Sequence, residues 1–81
     1  MKARYVRLYG QAEQRRVKLA DEGSGLRISF EVQHDLVWCA DATSESLYIE
    51  YKNGLLPDII ASLVVIWEQV RDRDIERLTV K

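Results

Sequence analysis

The stretch Leu26–Gln33, with the sequence LRISFEVQ, alternates strictly between apolar and polar residues. On an extended chain its apolar residues share one face, namely Leu26, Ile28, Phe30 and Val32. This period of two predicts a β-strand with one face turned towards the core. Arg15–Ala20 alternates in the same way, and the glycine-containing run Asp21–Gly25 between the two segments predicts a β-hairpin.

Three further segments are predicted as strands, at residues 2–9, 47–52 and 75–81. In the first of them, Tyr5, Arg7 and Tyr9 fall on one face. Residues 34–46 leave two alternatives open, because the apolar residues around Trp38 either extend a strand or cap the core. The polar residues 41–46 are expected to form a loop.

The C-terminal third predicts one amphipathic helix over residues 57–71. Pro57 suits the first helical turn, and Asp58 favours the positive end of the helix dipole. The helix carries a wide apolar stripe at i, i+3, i+4 spacing, here called the helix stripe, which consists of Ile59, Ile60, Leu63, Val64, Ile66, Trp67 and Val70. Val65 lies outside the helix stripe. The predicted fold is α+β, a two-layer arrangement in one domain spanning residues 1–81. A mostly antiparallel sheet of four or five strands carries the helix packed on one face, in the order β-β-β-β-α-β.

Composition limits the class of protein. The 81 residues are 47% hydrophobic and 31% charged with a net charge of −1, which is too apolar for a disordered chain. No apolar run approaches the ~20 residues of a membrane span. Cys39 is the single cysteine, so no internal disulfide forms, and Arg4 and Arg7 interrupt the apolar segment at the start. We therefore expect no membrane association and a cytoplasmic or virion-associated protein.

No catalytic or metal-binding constellation stands out in the sequence. His34 and Cys39 are the only histidine and cysteine, whereas a structural zinc site needs four such ligands. The apolar neighbours of Cys39 disfavour a reactive thiolate. Gly23-Ser24-Gly25 lacks the spacing of a phosphate-binding loop. We expect no enzyme activity, no cofactor, no metal and no small-molecule substrate.

Charge is unevenly distributed along the chain. Residues 1–30 hold seven basic and three acidic side chains, a net +4, whereas residues 31–81 hold five basic and ten acidic, a net −5. Such opposite halves suit association between molecules. Basic residues beside tyrosines on a sheet face also suit single-stranded nucleic acid, which is the alternative partner. The candidate interaction surface comprises Tyr5, Arg7, Tyr9, Arg16, Lys18, Arg27, Trp38 and Val65.

The run Gly25–Val32, the polar stretch through Ala42 and Thr43, and the run Leu47–Asn53 together resemble the opening β-domain of tailed-phage tail or baseplate hub proteins. Those domains place two such strands before a helix and a short returning strand, and the resemblance covers residues 15–81. It implies a role in assembly and supplies no catalytic residues.

The sequence therefore predicts a non-enzymatic protein–protein interaction domain of phage or prophage origin. Such a domain acts either in tail assembly or as a small inhibitor of a host factor, as anti-CRISPR-type proteins do. Its partner is another protein or a second copy of the chain. The alternative is a module that binds single-stranded nucleic acid weakly through the basic, tyrosine-bearing sheet face.

Overall fold

The computed structural model describes residues 2–10 and 13–78. Five strands precede one helix, in the order β1 (Ala3–Leu8), β2 (Arg15–Asp21), β3 (Gly25–His34), β4 (Val37–Ala40), β5 (Leu47–Glu50) and α1 (Leu55–Leu78). The predicted α+β class, the antiparallel sheet and the C-terminal helix that follows it are confirmed.

β3 organises the sheet because it pairs along both of its edges. One edge pairs with β2, which in turn pairs with β1, and every pairing is antiparallel. The other edge is shared, with β5 beside Gly25–Ile28 and β4 beside Glu31–His34. The unbroken alternation of β3 suits this central position, because its ten residues pair with β2 along one edge and with β4 and β5 along the other.

Two tight turns fix the strand register. In the predicted β2–β3 hairpin, the backbone N–H of Glu22 donates to the Gly25 carbonyl at 2.9 Å, and Gly23 takes a φ of 90°. The β3–β4 hairpin turns through Asp35 and Leu36, whose φ values of 49° and 69° are both positive, as a type I′ turn requires. Of the two alternatives for residues 34–46, the structure therefore has a strand, which contains Trp38.

The predicted element ends need correction. β5 stops at Glu50, two residues short of the expected end, because the chain turns through residues 51–54. The helix begins at Leu55, whose N–H donates to the Asn53 side chain at 3.0 Å, a helix-capping contact. It continues past residue 71, so the strand expected at residues 75–81 is wrong for 75–78, which are helical. Residues 79–81 lie outside the described residues.

The predicted two-layer packing is not what the described residues form. Among the described elements, α1 packs against β5 alone and leaves the other strands uncovered. The apolar residues that are buried are Ala20, Val32 and Ile49. A four-residue turn, residues 51–54, carries the chain from the edge strand β5 directly into the helix. The apolar surfaces that this arrangement leaves open define the sites considered below.

Candidate interaction surfaces

Strand register divides the sheet into two chemically different faces. Tyr5 pairs with Lys18 and Arg7 with Arg16, and the same face continues on β3 through Arg27. This surface, here called the arginine–aromatic face, consists of Tyr5, Arg7, Arg16, Lys18, Arg27, Glu31, Trp38 and Tyr48. Six of the eight predicted interaction residues thus lie together; the alternation indicated this for five of them, and β4 adds Trp38. Tyr9 follows the end of β1 and is 85% exposed, and Val65 lies on the helix.

Arg16 forms the centre of the arginine–aromatic face. Its guanidinium lies 4.0 Å from the centroid of the Tyr5 ring and 4.2 Å from that of Trp38, both within cation–π range. Its Nε also donates to Glu31 Oε1 at 2.6 Å across the β2–β3 pair. Arg7 lies 5.9 Å from the Trp38 ring and donates to the Gln14 side chain at 2.6 Å.

Arg27 forms a second cluster on the same face. Its guanidinium lies 4.8 Å from the Tyr48 ring and bonds Glu22 at 3.2 Å and the Ser46 hydroxyl at 3.1 Å. The sequence analysis did not identify Glu31 and Tyr48 as partners of these arginines. Only the strand register reveals them, because it sets Glu31 opposite Arg16 and Tyr48 opposite Arg27.

These contacts determine what the arginine–aromatic face can do chemically. Base stacking needs open aromatic rings and phosphate binding needs available cations. Here guanidinium groups lie over Tyr5, Trp38 and Tyr48, and two of those guanidiniums already bond carboxylates. A nucleic acid would have to displace these intramolecular partners, which lowers the net gain from binding.

The opposite face of the sheet is mostly apolar, although Arg4, Arg15, Asp21 and His34 also fall on it. Its apolar members, here called the apolar sheet face, are Val6, Leu8, Val17, Leu19, Leu26, Ile28, Phe30, Val32, Leu47 and Ile49. Val6, Phe30 and Leu47 are exposed, and several others are half-buried. A shallow recess at one end of this sheet involves Leu19 and Leu26 beside Arg4. The described strands and helix leave this face largely open to solvent.

The helix stripe is the second open apolar surface. Ile59 and Val70 are half-buried, whereas the stripe residues between them are exposed, namely Ile60, Leu63, Val64, Ile66 and Trp67. Val65 is exposed as well but projects from the other side of the helix, at 100° per residue. Exposed apolar patches of this extent mark sites of association in soluble proteins.

Asp41 is buried and organises the loop between β4 and β5. Its carboxylate accepts bonds from the Thr43 hydroxyl at 2.7 Å, the Thr43 N–H at 2.9 Å and Arg15 Nη1 at 2.8 Å. The Thr43 bonds and then the Arg15 charge lower the pKa of the Asp41 carboxyl from its ordinary value. Asp41 thereby ties the loop to the start of β2.

Acid is expected to weaken this loop. Because the pKa of Asp41 is lower in the folded chain, its contribution is full above the ordinary value of about 3.9 and is lost as the pH falls below it. Asp41→Asn should lower the urea midpoint at pH 7, and the difference from the unmodified chain should shrink between pH 5 and pH 2.5. Glu45→Gln, an exposed residue of the same loop, is the control. A constant difference across that pH range would contradict the prediction.

His34 and Cys39 lie on adjacent strands of the β3–β4 hairpin. His34 is exposed, and the half-buried Cys39 thiol donates to the Val32 carbonyl at 3.5 Å. Within residues 2–10 and 13–78, no group of three or more His, Cys, Asp or Glu side chains is arranged to hold a metal ion. None of the helical residues described forms a segment long and apolar enough to traverse a bilayer.

Comparisons with protein-family models, with curated proteins and with solved structures found no match to this chain.

Proposed function

We propose that the protein is a non-enzymatic protein–protein interaction domain that binds through the helix stripe and the apolar sheet face. The single observation that supports this most strongly is that stripe residues as large as Trp67 and Leu63 are half exposed on an otherwise regular helix. Because these side chains are already half covered, burying the rest of each is worth about 1 kcal/mol, which favours a protein partner that covers several of them.

Two biological roles fit an interaction domain of this size. The resemblance to phage tail and baseplate hub domains suggests an assembly component of phage or prophage origin. A small inhibitor that binds and blocks a host factor, of the anti-CRISPR type, uses the same kind of surface. In either role we expect the domain to work inside the cell or in a virion, with no cofactor.

Co-purification with matched helix variants tests this proposal. Tagged chain is expressed beside untagged chain, and the proteins that co-purify are compared for Leu63→Lys and Val65→Lys. Both residues are more than half exposed, at 59% and 55%, so neither lysine is forced into the chain's own core. We expect at least one protein, a second copy included, to be retained by the unmodified chain and by Val65→Lys and lost with Leu63→Lys. Circular dichroism checks that the helix is retained.

Identical co-purifying proteins for both variants would contradict the proposal. So would an interaction that is lost on Arg16→Ala and unaffected by Leu63→Lys, since that pattern assigns binding to the arginine–aromatic face.

Binding of single-stranded nucleic acid is the second candidate, supported by the gathering of Arg7, Arg16, Lys18 and Arg27 on one sheet face. It predicts that the anisotropy of a labelled oligonucleotide rises at low salt and falls steeply as salt is added. The interaction-domain proposal predicts no such salt-dependent rise, because Arg16 and Arg27 already bond carboxylates and lie over aromatic rings.

A further inference from the structure

The helix is a long element with little support from its own chain. Its 24 residues span about 36 Å, yet among the described elements it packs only against β5. A helix in a protein gains most of its stability from packing its apolar face against other elements. A helix with Leu63, Ile66 and Trp67 open to water therefore indicates that a surface outside the chain completes the packing.

The overall dimensions show the same shortage of packing. The chain exposes 6804 Å², whereas a compact protein of 9.4 kDa exposes about 5000 Å². Its radius of gyration is 15.1 Å against the roughly 12 Å of a compact domain of this length. The excess of roughly 1800 Å² per chain matches the roughly 1000–2500 Å² that each partner buries in an obligate homodimer.

The two open surfaces, the apolar sheet face and the helix stripe, are of the two kinds that pack on each other in α+β domains. The chain has an apolar sheet face on which Val6, Phe30 and Leu47 stay exposed, and an apolar helix that packs among the described elements against β5 alone.

We propose that the occupant of both surfaces is a second copy of this chain, in a symmetric dimer in which the helix stripe of each copy covers the apolar sheet face of the other. The inference deepens the proposed function and rests on it. Reciprocal exchange satisfies both surfaces with one partner and closes after two subunits. Pairing of the two helices alone would leave both sheet faces exposed, which makes it the less favourable arrangement.

Mass measurement gives the first test. Light scattering after gel filtration should give about twice the chain mass of 9.4 kDa for the unmodified chain and for Val65→Lys. Leu63→Lys should shift to the monomer mass, because it places a charge within the proposed interface and removes a large apolar side chain. A monomer mass for the unmodified chain at every concentration up to about 1 mM would overturn the proposal.

Disulfide trapping gives the second test and remains informative if Leu63→Lys unfolds. Two chains are prepared in a Cys39→Ser background, one with Phe30→Cys on the sheet face and one with Leu63→Cys in the helix stripe. We expect mixing and mild oxidation to give the cross-linked pair of different chains in preference to either homodimer. A Leu63→Cys homodimer alone would overturn the helix-on-sheet arrangement. An intramolecular disulfide in a chain carrying both cysteines, with no cross-link between chains, would overturn it too.

The two proposals fail in different ways. Stripe-dependent capture of a different protein by a monomeric chain overturns the dimer and leaves the interaction domain in place. Both proposals are overturned if the chain is a monomer and the same proteins co-purify with Leu63→Lys and with Val65→Lys.

Discussion

Replacing Ile49 by alanine is expected to lower the free energy of unfolding by about 3 kcal/mol. Ile49 is 4% exposed, pairs with Leu26 across the β5–β3 ladder and is the apolar residue of β5 that is buried. The cost combines the lost transfer of its side chain from water with the cavity left behind. A fall of this size is a large share of the total stability of a small domain.

A graded series makes the Ile49 prediction specific. Ile49→Val should cost about 1 kcal/mol, because it removes a single methylene group. Val65→Ala, a truncation at an exposed position outside the helix stripe, should cost less than about 0.5 kcal/mol. Urea denaturation measures all three at one protein concentration, since association would make the midpoint depend on concentration. An Ile49→Ala cost no larger than that of Val65→Ala would contradict the burial of β5.

The second large effect is expected for Gly25→Ala, with a cost of about 2–3 kcal/mol. A Cβ atom on Gly25 would lie 2.5 Å from Cζ of Tyr48 and 2.6 Å from the backbone oxygen of Ile49. The tyrosine ring can rotate away, but the Ile49 oxygen belongs to the paired strand and moves only if β5 shifts. The smaller entropy of the unfolded alanine chain offsets about 0.4–1 kcal/mol of the steric cost.

Ser29→Ala is the matched control for Gly25→Ala. Ser29 lies on the same strand, on the same arginine–aromatic face and opposite Lys18, where an alanine meets no such obstruction. We expect it to cost less than about 1 kcal/mol in the same denaturation experiment. A Gly25→Ala chain as stable as the Ser29→Ala chain would show that β5 does not press on Gly25 in solution.

The arginine–aromatic face and the apolar sheet face differ in how far contacts within one molecule satisfy them. On the first, Arg16 and Arg27 bond carboxylates and cover aromatic rings, so the face is satisfied within one molecule. On the second, side chains such as Phe30 and Leu47 remain exposed although they are apolar. Association should therefore involve the apolar face before the charged one.

The local alternation of apolar and polar residues is sufficient to predict most strands of the sheet. The alternation of Leu26–Gln33 and Arg15–Ala20 predicts both strands and the turn between them, because a half-buried strand needs a period of two and a tight turn needs glycine. The same alternation placed Arg7, Arg16, Lys18 and Arg27 on one face. It did not predict β4 clearly, since the turn there places Leu36 at a positive φ, where a bulky residue is rare and where the usual turn signal would be glycine.

The helix ends were less predictable. The charged run after Val70 resembles an exit from the helix, but arginine and glutamate are good helix formers and no glycine or proline in this run stops the helix. The strand expected at residues 75–81 was inferred from two apolar residues at alternate positions, which is too short a pattern to separate a strand from a helix.

The sequence by itself determined the strands β2 and β3, the hairpin between them, the helix over residues 57–71 and which side chains of these segments share a face, because those properties depend on periodicity along the chain. Only the tertiary structure decided that β4 and β5 share one edge of β3, that Arg16 meets both Glu31 and Trp38, and that the helix leaves the sheet at β5 without covering it. These are contacts between residues far apart in sequence, and their geometry depends on turn direction and strand register, which composition and periodicity do not encode.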